Sequence, residues 1–264
     1  MADHPWLTFL LPFIVFMLVG SLEPTPGEGG AKGPWFGVYI EYQHYPIVYC
    51  TKVLLTVLAM LFVLPGYRTF RLRISPLAVV VGAVGVVVWI ALCHMQIEAK
   101  LFGPIEANVF DPIEAKVREL LGFDPAVDQG AAKLGERSAF NPLEQLAHNP
   151  AWAYGFLAIR FFGLALLVPI IEEFFLRGFL LRFVVSANWW QIPIGKVNRT
   201  ALITGTAVPM LMHPGELLAA LVWFSAVTWL MVRTRNIWNC VVAHAMTNLL
   251  LGIYVVISGH WWLM

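Results

Sequence analysis

The sequence predicts an all-α, polytopic transmembrane helical bundle of about seven to eight spans around an intramembrane polar cavity. Three observations carry this. The 264 residues are 59% hydrophobic and only 12% charged, whereas a soluble globular chain carries about 25% charged residues. About seven apolar stretches approach the roughly 20 residues that cross a bilayer. The few ionisable groups inside those stretches cluster near the end of the chain, where charge in hydrocarbon marks a functional site.

The stretches follow in order. The first runs near Trp6 to Leu22. Met1-Ala2-Asp3-His4 lacks the basic n-region of a signal peptide, so a retained span is expected. Glu23 to Tyr45 is rich in Gly and Pro, then aromatic at Trp35, Phe36, Tyr39, Tyr42 and Tyr45, as in a loop returning through a headgroup-level belt. The second span runs near Pro46 to Leu64, with Lys52 near enough to an end to snorkel. Gly66 to Pro76 holds Arg68, Arg71 and Arg73 without an acid and reads as cytoplasmic. The third span runs near Leu77 to Ile97, with His94 and Glu98 as an interfacial pair at its far end.

Glu98 to Asn149 is the long polar segment, with Ile113 to Leu121 reading as a short amphipathic helix. Alternation of sides puts it outside the cytoplasm, as a lid or a partner surface. The expected division is therefore residues 1–97 as N-terminal transmembrane helices, 98–150 as an extracytoplasmic polar loop, and 151–264 as a C-terminal transmembrane core.

The fourth span, near Trp152 to Val185, exceeds a 30 Å hydrocarbon core and must kink, tilt or protrude. It buries Arg160, for which the sequence offers no partner. Arg182, Lys196 and Arg199 mark a second cytoplasmic connection. The fifth span, Thr200 to His213, is short and broken by Pro209. The sixth runs from Leu217 to Val232, Arg233-Thr234-Arg235-Asn236 forms a cytoplasmic turn, and the seventh runs from Ile237 to about Ile257.

Inside the fourth span stand Glu172, Glu173 and Arg177. Residues four apart share a helix face, so Glu173 pairs with Arg177 while Glu172 points elsewhere without a local cation. A carboxylate so placed suits general-base work. Pro169 cannot donate its N–H, so the helix is expected to loosen just before the carboxylates. His244 and Asn248 are also four apart. Counting inward from the arginine-bearing connections, Glu172 lies about 15 Å deep, His244 about 14 Å and His213 about 21 Å. Three helices thus bring a carboxylate and two imidazoles to broadly similar depth.

Such a set can hold and deprotonate water and donate to a developing oxyanion, the parts needed for amide hydrolysis. A zinc ion held by Glu172, His213 and His244 is the alternative. Other protease chemistries fit worse: there is no HExxH pattern, no Asp pair in an apolar span and no G-x-S-x-G. Two readings from other classes remain: a non-catalytic membrane scaffold that binds a partner, and a small proton-coupled transporter using the same groups as a relay. Taken alone, the two glutamates could hold helices together through salt bridges, His244 with Asn248 could be helix–helix glue, and His213 beside Pro214-Gly215 could be an interface residue. The net charge of +1 and the lack of a basic cluster give no sign of nucleic acid. Cys50, Cys93 and Cys240 are isolated and read as buried thiols.

Glu172-Glu173-x-x-x-Arg177, a histidine closing a short span, and Arg233-Thr234-Arg235-Asn236-Ile237-Trp238 leading to His244-x-x-x-Asn248 together resemble the CPBP intramembrane protease family, the bacterial relatives of the CAAX prenyl endopeptidase Rce1. The match spans roughly residues 165–252. The resemblance implies a helical membrane core with a cavity and a glutamate-dependent endopeptidase without a cofactor. Glu172 and His213 would activate water, His244 and Asn248 would stabilise the oxyanion, and Glu173 and Arg177 would support the site. It implies the lipid bilayer and a peptide or membrane-protein substrate as partners, in a bacterial inner membrane. The family's second motif has Phe four residues before its His; Pro209 stands there, a departure that bears on helix geometry around His213. The N-terminal half is similar to the CAAX-protease-related proteins that accompany exosortase, which would add a sorting-system partner.

Overall fold

The computed structural model describes residues 5–24, 31–32, 39–98, 100 and 139–264. The helices are α1 (Pro5–Gly20), α2 (Tyr45–Tyr67), α3 (Pro76–Met95), the single-turn α4 (Pro142–Gln145), α5 (Pro150–Val185), α6 (Arg199–Leu211), α7 (Leu217–Thr234) and α8 (Ile237–Ser258). Extended pairing among the described residues is confined to Ala31–Lys32 against Tyr39–Ile40. All seven long helices expected from the apolar pattern are present. Of these, α2, α3, α5, α7 and α8 are long and apolar enough to cross a membrane. At 13 residues, α6 is about 20 Å long and falls short of a hydrocarbon core. The aromatic residues Trp35 and Phe36 and the amphipathic pattern at 113–121 lie outside the described residues.

One capping device starts four of the long helices. Leu77 N–H donates to Ser75 Oγ, Trp152 N–H to Asn149 Oδ1, Ala201 N–H to Asn198 Oδ1 and Trp238 N–H to Asn236 Oδ1, at 2.8 to 3.2 Å. Each cap satisfies an N–H that would otherwise enter the bundle unpaired. Pro76 and Pro150 follow their caps directly, where a missing N–H costs nothing.

α3 and α8 pack closely in the bundle core. Thr247 Oγ1 donates to Gly82 O at 3.0 Å, and a Cβ on Gly82 would come within 2.7 Å of Ala243 O. The buried face of α3 is Ala78, Gly82, Val86, Trp89 and Cys93. Val80, Val84 and Val87 are exposed on its other side, as suits a helix facing lipid.

The arginine-bearing connections gather at one end. Asn236 Nδ2 donates to Arg71 O at 3.3 Å and Arg73 O at 3.2 Å, and Trp238 Nε1 donates to Phe70 O at 3.1 Å. Gly195, at φ +85°, lies against Met231 and Arg235, where a side chain would be strained. Arg182 is not a solvated loop marker. It is buried and donates to Gly178 O, Trp190 O and Ile192 O at 2.6 to 2.9 Å, closing the end of α5.

Lys52 does not snorkel. It is 5% exposed, forms an ion pair with Glu23 and lies over the rings of Phe16 and Tyr49. A buried counterion and two π faces replace the water that snorkelling would have reached. The expected His94–Glu98 pair also separates. His94 Nε2 meets Tyr254 Oη at 3.1 Å, while Glu98 Oε1 accepts from Leu218 N–H at 2.7 Å and satisfies the start of α7.

Candidate active site

The centre of α5 departs from α-helical winding. Val168–Glu173 is α-helical, but Gly163–Leu167 before it and Phe174–Leu180 after it are wound as π-helix. The loosening expected from Pro169 thus takes the form of wider turns rather than a break, a common device at functional sites. In a π turn each N–H reaches back five residues, so Pro169 lacks the donor that Leu164 O would have received. Asn248 Nδ2 donates to Leu164 O instead, at 2.9 Å. The proline and the asparagine are two halves of one hydrogen-bonding account.

Glu173 is fully buried and takes both of its contacts through Oε1: Arg177 Nη1 at 3.2 Å and His244 Nδ1 at 3.0 Å. Arg177, also fully buried, is anchored from α7 by Phe224 O at 3.2 Å and Thr228 Oγ1 at 3.5 Å, with its guanidinium over the Phe224 ring. The Glu173–Arg177 pair was legible from the i,i+4 spacing. The reach of Glu173 to His244, and the anchors Phe224 and Thr228, were not. Depth along the helices was the one signal for the former, because Glu173 and His244 are 71 residues apart.

Glu172 is partly exposed, its side chain at 14%, with Oε2 4.0 Å from His244 Nε2. Since Glu173 accepts at Nδ1, the His244 proton there is fixed, and Nε2 is the nitrogen turned toward Glu172. That nitrogen donates only when the ring is doubly protonated. His213 follows the end of α6 and precedes the 3-10 turn Pro214–Glu216. Its Nδ1 donates to Pro209 O at 2.7 Å, which leaves Nε2 as the acceptor. Pro209 therefore supplies an orienting carbonyl from the position where the family motif has Phe. The rings of Trp89 and Phe224 flank His213 at 5.9 and 5.3 Å.

These groups share one cavity of about 290 Å³, whose lining includes Glu172, His213, His244 and Asn248. Trp89, Trp223 and Leu164 form apolar walls, and Leu263 and Met264 close part of the outer side. Glu173 and Arg177 stand behind the lining. Among the described residues no three His, Cys, Asp or Glu side chains are placed to hold a metal ion, the set Glu172, His213 and His244 included. Arg160, unpartnered in the sequence reading, is buried and donates to Phe140 O at 2.5 Å and Met264 O at 3.2 Å.

Residues 154–250 match the family described as type II CAAX prenyl endopeptidase Rce1-like. This chain carries an Rce1-like domain. The domain holds Glu172, Glu173, Arg177, His213, His244 and Asn248 within its bounds, along with Arg160. At the level of the family, that segment is similar to CAAX-type intramembrane proteases, and it lies in an integral, multi-pass membrane protein. No curated protein and no solved structure matches the chain. The Rce1-like domain does not stand apart from the helices before it: α3 packs along α8 and α7, and Trp89 of α3 forms part of the cavity wall.

Proposed function

We propose that the protein is an intramembrane endopeptidase that hydrolyses a peptide bond with a water held between Glu172 and His213. The observation that supports this most is that four polar groups from two helices and one turn line a single cavity. Glu172 takes a proton from the water while His213 Nε2 accepts its other hydrogen. The resulting hydroxide attacks the peptide carbonyl carbon, and its oxygen becomes an oxyanion. Doubly protonated His244, through Nε2–H, and the second Nδ2 hydrogen of Asn248 donate to that oxyanion. Collapse breaks the C–N bond, and Glu172 returns its proton to the leaving amine. Glu173, held by Arg177, keeps His244 in the orientation this requires.

The substrate is a peptide or membrane protein reaching the cavity from the bilayer, and the end that gathers Arg71, Arg73 and Arg235 faces the cytoplasm of a bacterial inner membrane. Quantitative proteomics of membrane peptides, parent against Glu172→Gln, tests the reading. An uncleaved precursor is expected to accumulate in the variant. If none does while the variant folds, the protein acts as a non-catalytic membrane scaffold.

A further inference from the structure

Beyond α8 the chain turns at Gly259, with φ +73°, and runs back as the 3-10 turn Trp261–Leu263. This short segment is not part of a spanning helix, yet Leu263 is 4% exposed and lines the cavity together with Met264. Two anchors hold it. At one, the His94 ring meets those of His260 and Trp262 at 5.0 and 5.3 Å, and His94 Nε2 meets Tyr254 Oη at 3.1 Å. At the other, Arg160 Nη2 donates to Met264 O at 3.2 Å. Arg160 stands on the same every-fourth-residue row of α5 as Leu164, Val168 and Glu172, the last three of which line the cavity. Along the helix it is about 18 Å outward of Glu172.

A backbone oxygen of Met264 therefore already sits on a buried guanidinium at the outer end of the row that leads to Glu172. We propose that Gly259–Met264 is an intrinsic strap that occupies the outer cavity as a peptide would, and that an incoming peptide displaces it and takes over Arg160 through a backbone carbonyl oxygen. The strap restrains activity when in place, and Arg160 is a substrate-binding residue once it leaves. This inference rests on the endopeptidase reading. It is physically reasonable because the strap is one turn long and held by side chains, so it opens at much lower cost than the helices around it.

The test uses the full chain in lipid nanodiscs, with Cys50, Cys93 and Cys240 changed to Ala and Leu263→Cys as reporter. Reaction of the reporter with a water-soluble maleimide is compared with Arg160 intact, with Arg160→Met and with Trp262→Ala. Either release of an anchor is expected to speed labelling about tenfold, the effect of a 1.4 kcal/mol change in local opening. Equal rates in all three overturn the strap. Cleavage of the precursor identified by proteomics supplies the second readout. Both releases are expected to raise turnover, and Arg160→Met alone also raises KM about tenfold, as loss of a charge-assisted hydrogen bond does. Faster labelling without faster cleavage in Trp262→Ala overturns the restraint, and an unchanged KM in Arg160→Met overturns the binding role. Failure of the endopeptidase reading is separately visible: Glu172→Gln would then cleave like the parent, while the labelling result stands by itself.

Discussion

Glu173 Oε1 lies 3.0 Å from His244 Nδ1, a hydrogen bond between α5 and α8 made by a side chain that is also paired with Arg177 at 3.2 Å. One buried oxygen thus neutralises a cation and orients the imidazole that faces Glu172. Removing its charge should have two separable effects.

Glu173→Gln leaves Arg177 as an uncompensated buried cation, and breaking such a pair costs about 3–5 kcal/mol. A lowered unfolding temperature in detergent is expected, together with loss of cleavage. Adding Arg177→Met to Glu173→Gln should recover much of the thermal stability, since both charges are then gone. It should not recover cleavage, because Glu173 no longer orients His244. Recovery of both would mean that Glu173 serves only the fold.

Glu172→Gln should leave the unfolding temperature near that of the parent. The group is partly exposed, and its charge is not the partner of Arg177. Loss of a general base typically lowers rate by about 10²–10⁴. Precursor processing in membranes should fall by that order with protein abundance unchanged.

Asn248 and Pro169 act on the same carbonyl, and their variants should part company. Asn248→Ala leaves Leu164 O without its donor, costing about 1–3 kcal/mol, and removes a proposed oxyanion donor, costing about 10²–10³ in rate. Pro169→Ala restores an N–H that competes for the upstream carbonyl and tightens α5. Unchanged or higher stability with lower cleavage is expected. Thermal unfolding and precursor cleavage, measured on the same preparations, check the pair.

Gly82→Ala tests the close approach of α3 and α8. The added methyl meets backbone, Ala243 O at 2.7 Å, so the helices must separate. Overpacking of this kind costs about 1–3 kcal/mol. Gly155→Ala, whose Cβ meets nothing within 4 Å, is the control. It should match or exceed the parent in unfolding temperature.

How far the sequence reading reached can be judged residue by residue. The seven long helices followed from apolar runs, because hydropathy is local. The Glu173–Arg177 pair followed from a four-residue spacing on one helix. Arg160, Lys52 and the Glu98 carboxylate were misread or left without partners because each is satisfied by a segment distant in sequence: Phe140 and Met264, Glu23, and the start of α7. Pro169 did carry a usable signal, since a missing N–H implies a free carbonyl upstream and hence a donor somewhere. Its spacing could not name Asn248.

The amino-acid order by itself determined an apolar helical chain, the order of its long helices, and the Glu173–Arg177 pair within one of them. These depend on residues within a few turns of one another. The tertiary structure alone decided that Glu173 rather than Glu172 bonds His244 Nδ1, that Asn248 completes the π turn before Pro169, and that the segment after α8 folds back into the cavity. Each of those depends on how a helix is rotated about its axis against its neighbour. Two π segments in α5 reset that rotation on either side of the carboxylates, and helical periodicity carries no record of it.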